Sequence, residues 1–408
     1  MSAGNFAVTL LLLRYASNDQ YGYYVLVFNG VLMLASLQGA LVGPAMVNRL
    51  NQLGPEGRSD LIGGLYAGQR WALIRVFGLC AACISILWSI NKLDSPTTWL
   101  TLVALTAAWT GLYRQFFRMV SNAYRNATAA LRGDLAYAVL LLCGAGLGIA
   151  TSAPTLVTLI FMSLGSIASG RESSRLLWRN ERWNVNATPG AWRDIAAVGI
   201  WPATGTVAFW AYNQGYNYLI AGTMNLTAVA ALGSTRTLMM PISLISTGIT
   251  PLMLATVSVW LREQGVRATL RRVMLAAAAM VALALLYAAL FWPLREPIFA
   301  RILHKSFPQR DLLLLVWWLA SVVMVARDQI QNFLLARTRY RSLTTLTVTS
   351  AVIALTVTCI MIGRIGVAGA AIGVLIGELT NILGLIALSL RELRQQAAGP
   401  APLASRHM

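Results

Sequence analysis

Charge is scarce in this chain, and negative charge scarcest of all. Charged residues make up 11% of 408, with 14 Asp and Glu against 32 Lys and Arg. A soluble domain carries about 25% charged residues, so a soluble globular protein is excluded. Lysine occurs only as Lys92 and Lys305, and histidine only as His304 and His407. Neither histidine has a plausible set of partners, so no metal centre is expected. No phosphate loop or nucleophile elbow is present, which argues against an enzyme and against a cofactor. The cysteines are four, Cys80, Cys83, Cys143 and Cys359, all in apolar stretches. They make no disulfide framework; Cys80 and Cys83 have redox spacing but no flanking charge, and read as small buried hydrophobes. The first residues lack a basic stretch and a small-residue cleavage site, so no cleavable signal is expected.

Apolar sequence is what remains, at 57% of the chain. Hydropathy and turn signals divide it into twelve segments, at 3–15, 23–46, 71–91, 97–119, 134–152, 154–170, 195–221, 226–260, 273–294, 312–336, 342–362 and 366–390. A bilayer demands roughly 20 residues of helix. The first segment falls short of that, which predicts a partial helix or a start further upstream. The eighth is too long for one straight pass and holds Pro241 and Pro251, which predicts a kink. Alternating the connecting segments across a membrane puts 22 basic residues on one side and seven on the other. The positive-inside rule then places both termini in the cytoplasm. The net charge of +18 is explained by these helix-end arginines, which orient the chain and meet anionic membrane lipids; no nucleic-acid partner is expected. The longest inside loop, 171–194, mixes Arg171, Arg175, Arg179 and Arg182 with Leu176, Leu177, Trp178 and Trp183. It reads as an amphipathic linker between a six-helix lobe at 1–170 and a second at 195–408.

Apart from Arg14 at the end of the short first segment, five arginines fall inside the apolar segments: Arg75, Arg114, Arg118, Arg236 and Arg327. A guanidinium at the bilayer centre costs on the order of 2.5–3.5 kcal/mol on insertion scales. Such residues either snorkel to head groups or line an interior, and an arginine-lined interior suits an anionic cargo. Thr110, Arg114, Arg118, Ser121 and Arg125 recur at three- and four-residue steps, on one helix face. The topology puts four of the five in the cytoplasmic half and Arg236 alone in the outer half. Ser243, Thr247 and Thr250 continue a polar stripe from Arg236 at helical spacing. Thr206, Trp210, Asn213 and Asn217 share a face whose residue types suit either sugar contact or interhelical hydrogen bonds.

Three acids complete the set. Glu378 lies near the centre of the last segment, where a carboxylate is either protonated, and a candidate for ion coupling, or paired with an arginine. Asp328 adjoins Arg327 but points about 100° away around a helix, which predicts that it braces a neighbouring span together with Asn332; it is the second ion-coupling candidate. Asp134 reads as a helix cap or an interface residue.

Four stretches stand out: Gly4-Asn5-Phe6 through Leu13-Arg14-Tyr15 to Gln20-Tyr21-Gly22-Tyr23-Tyr24, Leu37-Gln38-Gly39-Ala40-Leu41 with Pro44, Ala228-Val229-Ala230-Ala231-Leu232 through Met240-Pro241 to Thr250-Pro251, and Leu334-Leu335-Ala336-Arg337-Thr338-Arg339-Tyr340. Together they resemble Wzx-type polysaccharide flippases of the multidrug/oligosaccharidyl-lipid/polysaccharide (MOP) exporter superfamily. The resemblance implies an all-α polytopic fold of about twelve transmembrane helices in two six-helix bundles around a V-shaped cavity. It implies a flippase in the bacterial inner membrane that carries undecaprenyl-diphosphate-linked oligosaccharide to the periplasmic leaflet by alternating access. Coupling to a proton or sodium gradient, and a polysaccharide polymerase and chain-length regulator as partners, follow from the same resemblance. Two rivals remain. A multidrug exporter of the superfamily wants acids in its cavity, and a membrane polymerase or ligase wants a large outside loop, whereas the longest here is 295–311.

Overall fold

The computed structural model describes residues 2–50, 52–124, 126–178, 183–184 and 190–397. Arg125, Arg179, Arg182 and His407 lie outside them. The described residues form helices and their connections, with no strand. Thirteen α-helices follow one another: α1 (Ser2–Tyr15), α2 (Asn18–Leu50), α3 (Pro55–Ser89), α4 (Ser95–Ala123), α5 (Ala127–Ala150), α6 (Pro154–Trp178), α7 (Ala191–Asn213), α8 (Gly215–Thr223), α9 (Leu226–Thr237), α10 (Met240–Pro297), α11 (Arg310–Ala336), α12 (Tyr340–Ile365) and α13 (Val367–Ala397). A short π-helical segment, Ile298–Leu303, follows α10.

Local chemistry sets these boundaries. Pro55 opens α3 behind Gly54, where its missing N–H costs nothing. Asn126 caps α5 by accepting from the amide of Ala129 at 3.1 Å, and Asn225 caps α9 by accepting from that of Ala228 at 2.8 Å. Gly265 has φ 78°, a left-handed backbone open to glycine at little cost. The chain reverses there. Arg272 lies 5.2 Å from the ring of Trp260, whereas twelve residues of straight helix would separate them by about 18 Å. The long helix α10 is therefore two passes, 240–264 and 266–297. Joining α7 with α8, and α9 with the first part of α10, gives the twelve passes expected.

Among the described residues, eight helices are long and apolar enough to cross a membrane, or nine when Leu226–Thr237 and Met240–Thr250, bent by 57°, count as one broken span. This is a multi-pass membrane protein. The helix α1, with 14 residues, is short, while α4 carries two arginines and α6 a run of buried hydroxyls that lower their hydropathy. The predicted kink of the eighth segment falls at 238–239, just before Pro241.

The chain forms two compact units, Met1–Val207 and Ala208–Met408. Residues 171–178, read as linker, are the last turns of α6, and the start of α7 packs into unit 1, where Ala191 and Ile195 join Val42, Met46, Ile62, Phe116 and Phe117. The division falls inside α7 for that reason. In unit 2 the Gly265 reversal packs Val257, Val266, Leu270 and Val273 against Ile330, Phe333, Leu343 and Leu385.

Close helix pairs rest on small residues. A Cβ on Gly144 of α5 would lie 2.2 Å from that of Phe161 on α6, and one on Gly373 of α13 would lie 1.9 Å from the Thr358 hydroxyl of α12. Hydroxyls buried between helices bond to backbone: Thr155 donates to Gln20 at 2.7 Å and Ser173 to Ala129 at 3.4 Å. The four cysteines are free and exposed, not buried as expected. They sit on apolar helix faces, such as the bare second half of α3, where lipid takes the place of protein neighbours.

Candidate functional site

Unit 2 holds two buried ion-pair clusters: Glu392 of α13 with Arg337 and Arg339 near the end of α11, and a larger network around Arg327. Arg327 on α11 is 5% exposed and Glu378 on α13 is 1% exposed. Nη1 of Arg327 donates to Oε2 of Glu378 at 2.7 Å, to Oε1 at 2.8 Å and to the Tyr212 hydroxyl at 2.8 Å. Its Nη2 donates to Oδ1 of Asp328 at 2.7 Å. The other Asp328 oxygen accepts from Ser246 of α10 at 2.8 Å. The guanidinium also lies 5.7 Å from the ring of Phe209. Glu378 is held a third time by the side-chain amide of Asn213 at 3.2 Å. A buried carboxylate and guanidinium in apolar helices each need every lone pair and proton engaged, and this arrangement supplies that.

Asn213 links this cluster to Arg236 on α9. Its side-chain oxygen accepts from Nη2 of Arg236, and Nη1 of the same arginine donates to the Tyr216 hydroxyl at 2.7 Å. Trp317 flanks the guanidinium at 5.0 Å. Asn213 can bridge because α7 ends there, so its amide is free to reach α9 on one side and α13 on the other. Asn217 is buried on α8 and donates to Gln214 at 3.1 Å, which secures the α7–α8 joint. Trp210 is half-buried, and among the described residues no hydrogen bond joins it to the network.

Unit 1 is arranged differently. Arg114 of α4 is 7% exposed and lies 3.6 Å from the ring centroid of Tyr137 on α5. One turn on, Arg118 pairs with Asp134 of α5 at 3.3 Å. Arg75 is exposed on α3 and joins neither group.

Several sequence expectations change here. Arg236 and Arg327 are joined through one asparagine and one carboxylate, while Arg236 rests beside Trp317, ten residues before Arg327 on α11. Asp328 does not point away from Arg327 but bonds it, because the long guanidinium curls back over its own helix. Of the two fates open to Glu378, the structure shows the pair with arginine. The stripe from Arg236 through Ser243 to Thr250 is broken by the bend at 238–239, and that from Thr206 to Asn217 by the end of α7 at Asn213; neither is a continuous face. Asp134 is not the cap of α5, a place that Asn126 holds. Arg118 is an ion-pair partner and not only an anchor. Tyr137, Tyr212, Tyr216 and Ser246 were missed by the sequence reading, since a tyrosine in an apolar run carries no mark of what it bonds.

The four ionic groups of this network balance: Arg236 and Arg327 against Asp328 and Glu378. Among the described residues no group of three or more His, Cys, Asp or Glu could hold a metal ion.

No protein-family model and no curated protein matches the sequence. Solved structures do match in fold. The lipid II flippase MurJ, in an inward closed conformation, superposes with a TM-score of 0.76 at 12% identity, over 96% of this chain and 85% of that one. An outward-facing multidrug resistance MATE transporter of the MOP superfamily gives 0.68 at 14% identity, over 97% of this chain and 92% of its own. A eukaryotic MATE transporter gives 0.66 at 10% identity, over 97% and 95%. Along nearly its whole length, the chain shares the fold of these flippase and MATE transporter structures.

Proposed function

We propose that this protein is a flippase of the bacterial inner membrane, with both termini cytoplasmic. Its cargo is an undecaprenyl-diphosphate-linked oligosaccharide, moved from the cytoplasmic to the periplasmic leaflet by alternating access. One observation carries the reading: deeply buried arginines, Arg114 in one unit and Arg327 with the half-buried Arg236 in the other, within a fold shared with a lipid II flippase. An apolar helix tolerates such groups where they meet compensating charge, and a diphosphate supplies it. Arg114 receives the anion in unit 1. In unit 2 the cargo diphosphate competes with Glu378 for Arg327, and a proton or sodium ion arriving at Glu378 or Asp328 favours that exchange. Trp210, half-buried and outside the network, is the sugar-facing candidate that remains. A polysaccharide polymerase and a chain-length regulator use the product on the far side.

The test is transport in proteoliposomes made with the full-length protein and a fluorescent lipid-linked oligosaccharide. Uptake of label into the opposite leaflet, reduced severalfold in Arg114→Gln and less so in Arg114→Lys, supports the reading. No movement of this lipid, with efflux of an organic cation instead, replaces it by a drug exporter. The charge balance of the unit 2 network favours keeping that second reading in the test.

A further inference from the structure

The geometry points to a docking groove for a polyprenyl chain on the outer surface of unit 1, between α3 and α4. This inference rests on the flippase reading and deepens it, by assigning the place of the lipid anchor of the cargo. The groove encloses about 320 Å³ and is lined by Ile74, Phe77, Gly78 and Ala81 of α3 and by Leu102, Leu105, Thr106 and Trp109 of α4. Thr106 is the one polar residue in it, and its hydroxyl is spent on the Leu102 carbonyl at 2.9 Å. The lining therefore offers hydrocarbon contact and no hydrogen bond.

Shape and charge name the occupant. Residues 74 to 81 of α3 rise about 10 Å, so the volume leaves a cross-section of roughly 30 Å² at that rise. That is room for one methyl-branched chain and not for the paired acyl chains of a phospholipid. The notch at its middle is Gly78, where an added Cβ would meet no atom within 4 Å. Arg70 lies four residues before Ile74 and so on the same face of α3. It is exposed, and it stands at the end of the groove away from the α3–α4 turn, next to the Trp109 end of α4. An apolar single-chain slot with a guanidinium and an indole at one mouth matches an isoprenoid bearing a phosphate at one end.

A benzophenone-bearing undecaprenyl diphosphate, presented to the full-length protein in phosphatidylcholine nanodiscs, tests this. Photolabel is expected on peptides covering 74–81 and 102–109, displaced by undecaprenyl diphosphate and not by phosphatidylglycerol. Gly78→Leu puts a side chain into the notch from a Cβ that meets no atom within 4 Å, and is expected to lower the labelling about tenfold. Arg70→Gln is expected to weaken competition by the diphosphate severalfold while leaving competition by polyprenol unchanged. Label elsewhere, absence of label, displacement by phosphatidylglycerol, or full labelling of Gly78→Leu overturns the groove. Transport of lipid-linked oligosaccharide by the same variants separates the two readings. Labelled groove without transport removes the flippase reading alone, and transport with an unlabelled groove removes the groove alone.

Discussion

The two units place an arginine at the same point and satisfy it by different chemistry. Arg114 and Arg327, the starts of α5 and α12, and the starts of α6 and α13 are all separated by 213 positions (327 less 114, 340 less 127, 367 less 154). Each arginine lies nine residues before the end of its helix, at Ala123 and Ala336. In that register Tyr137 of unit 1 answers to Ser350 of unit 2, and Gly165 answers to Glu378. Gly165 makes room for the tyrosine, whose ring a Cβ there would approach to 3.3 Å. Unit 1 thus offers its arginine a large aromatic face over a glycine. Unit 2 offers a carboxylate over a serine. One exchange of bulk between two neighbouring helices turns a cation–π contact into an ion pair.

That difference makes unit 2 the more brittle, and the effects of mutation should rank accordingly. Arg327→Gln strands Glu378 in an apolar interior and should cost about 3–5 kcal/mol, as removal of one partner of a buried pair does. Arg327→Gln with Glu378→Gln should recover most of that loss, measured by thermal unfolding in detergent. A double variant no more stable than the single one would show that the pair is not the source of the cost. Asn213→Leu cuts the bridge between Arg236 and Glu378 and should cost about 1.5–3 kcal/mol, the range for hydrogen bonds to charged groups. In unit 1, Tyr137→Leu should cost about 2 kcal/mol through the lost stacking on a desolvated arginine. Tyr137→Phe, which keeps the ring, should cost less than half of that; equal losses would move the weight from the aromatic face to the hydroxyl. Arg118→Gln gives up a half-exposed ion pair and should cost no more than about 1 kcal/mol. Arg75→Gln should leave the unfolding temperature unchanged.

The arginines themselves were legible in the sequence, because a charge in an apolar run is expensive wherever it lands. Their partners were not. Asn213, on a face that suited either sugar contact or an interhelical hydrogen bond, makes the second: it bridges Arg236 and Glu378 because α7 stops there. Asp328 was set apart from Arg327 by the helical angle, which fixes Cβ directions but not where a guanidinium several bonds away will turn. The cysteines were read as buried because they are apolar, and in a membrane apolar residues face outward as readily as inward.

Composition and periodicity by themselves determined a chain of apolar helices, since a span must satisfy its own backbone in lipid. They determined as well the approximate ends of the passes and the presence of costly internal arginines. Tertiary structure alone decided which arginine meets a carboxylate and which an aromatic ring. Those contacts join residues as far apart as Asn213 and Glu378, and no local pattern encodes the packing that brings them together.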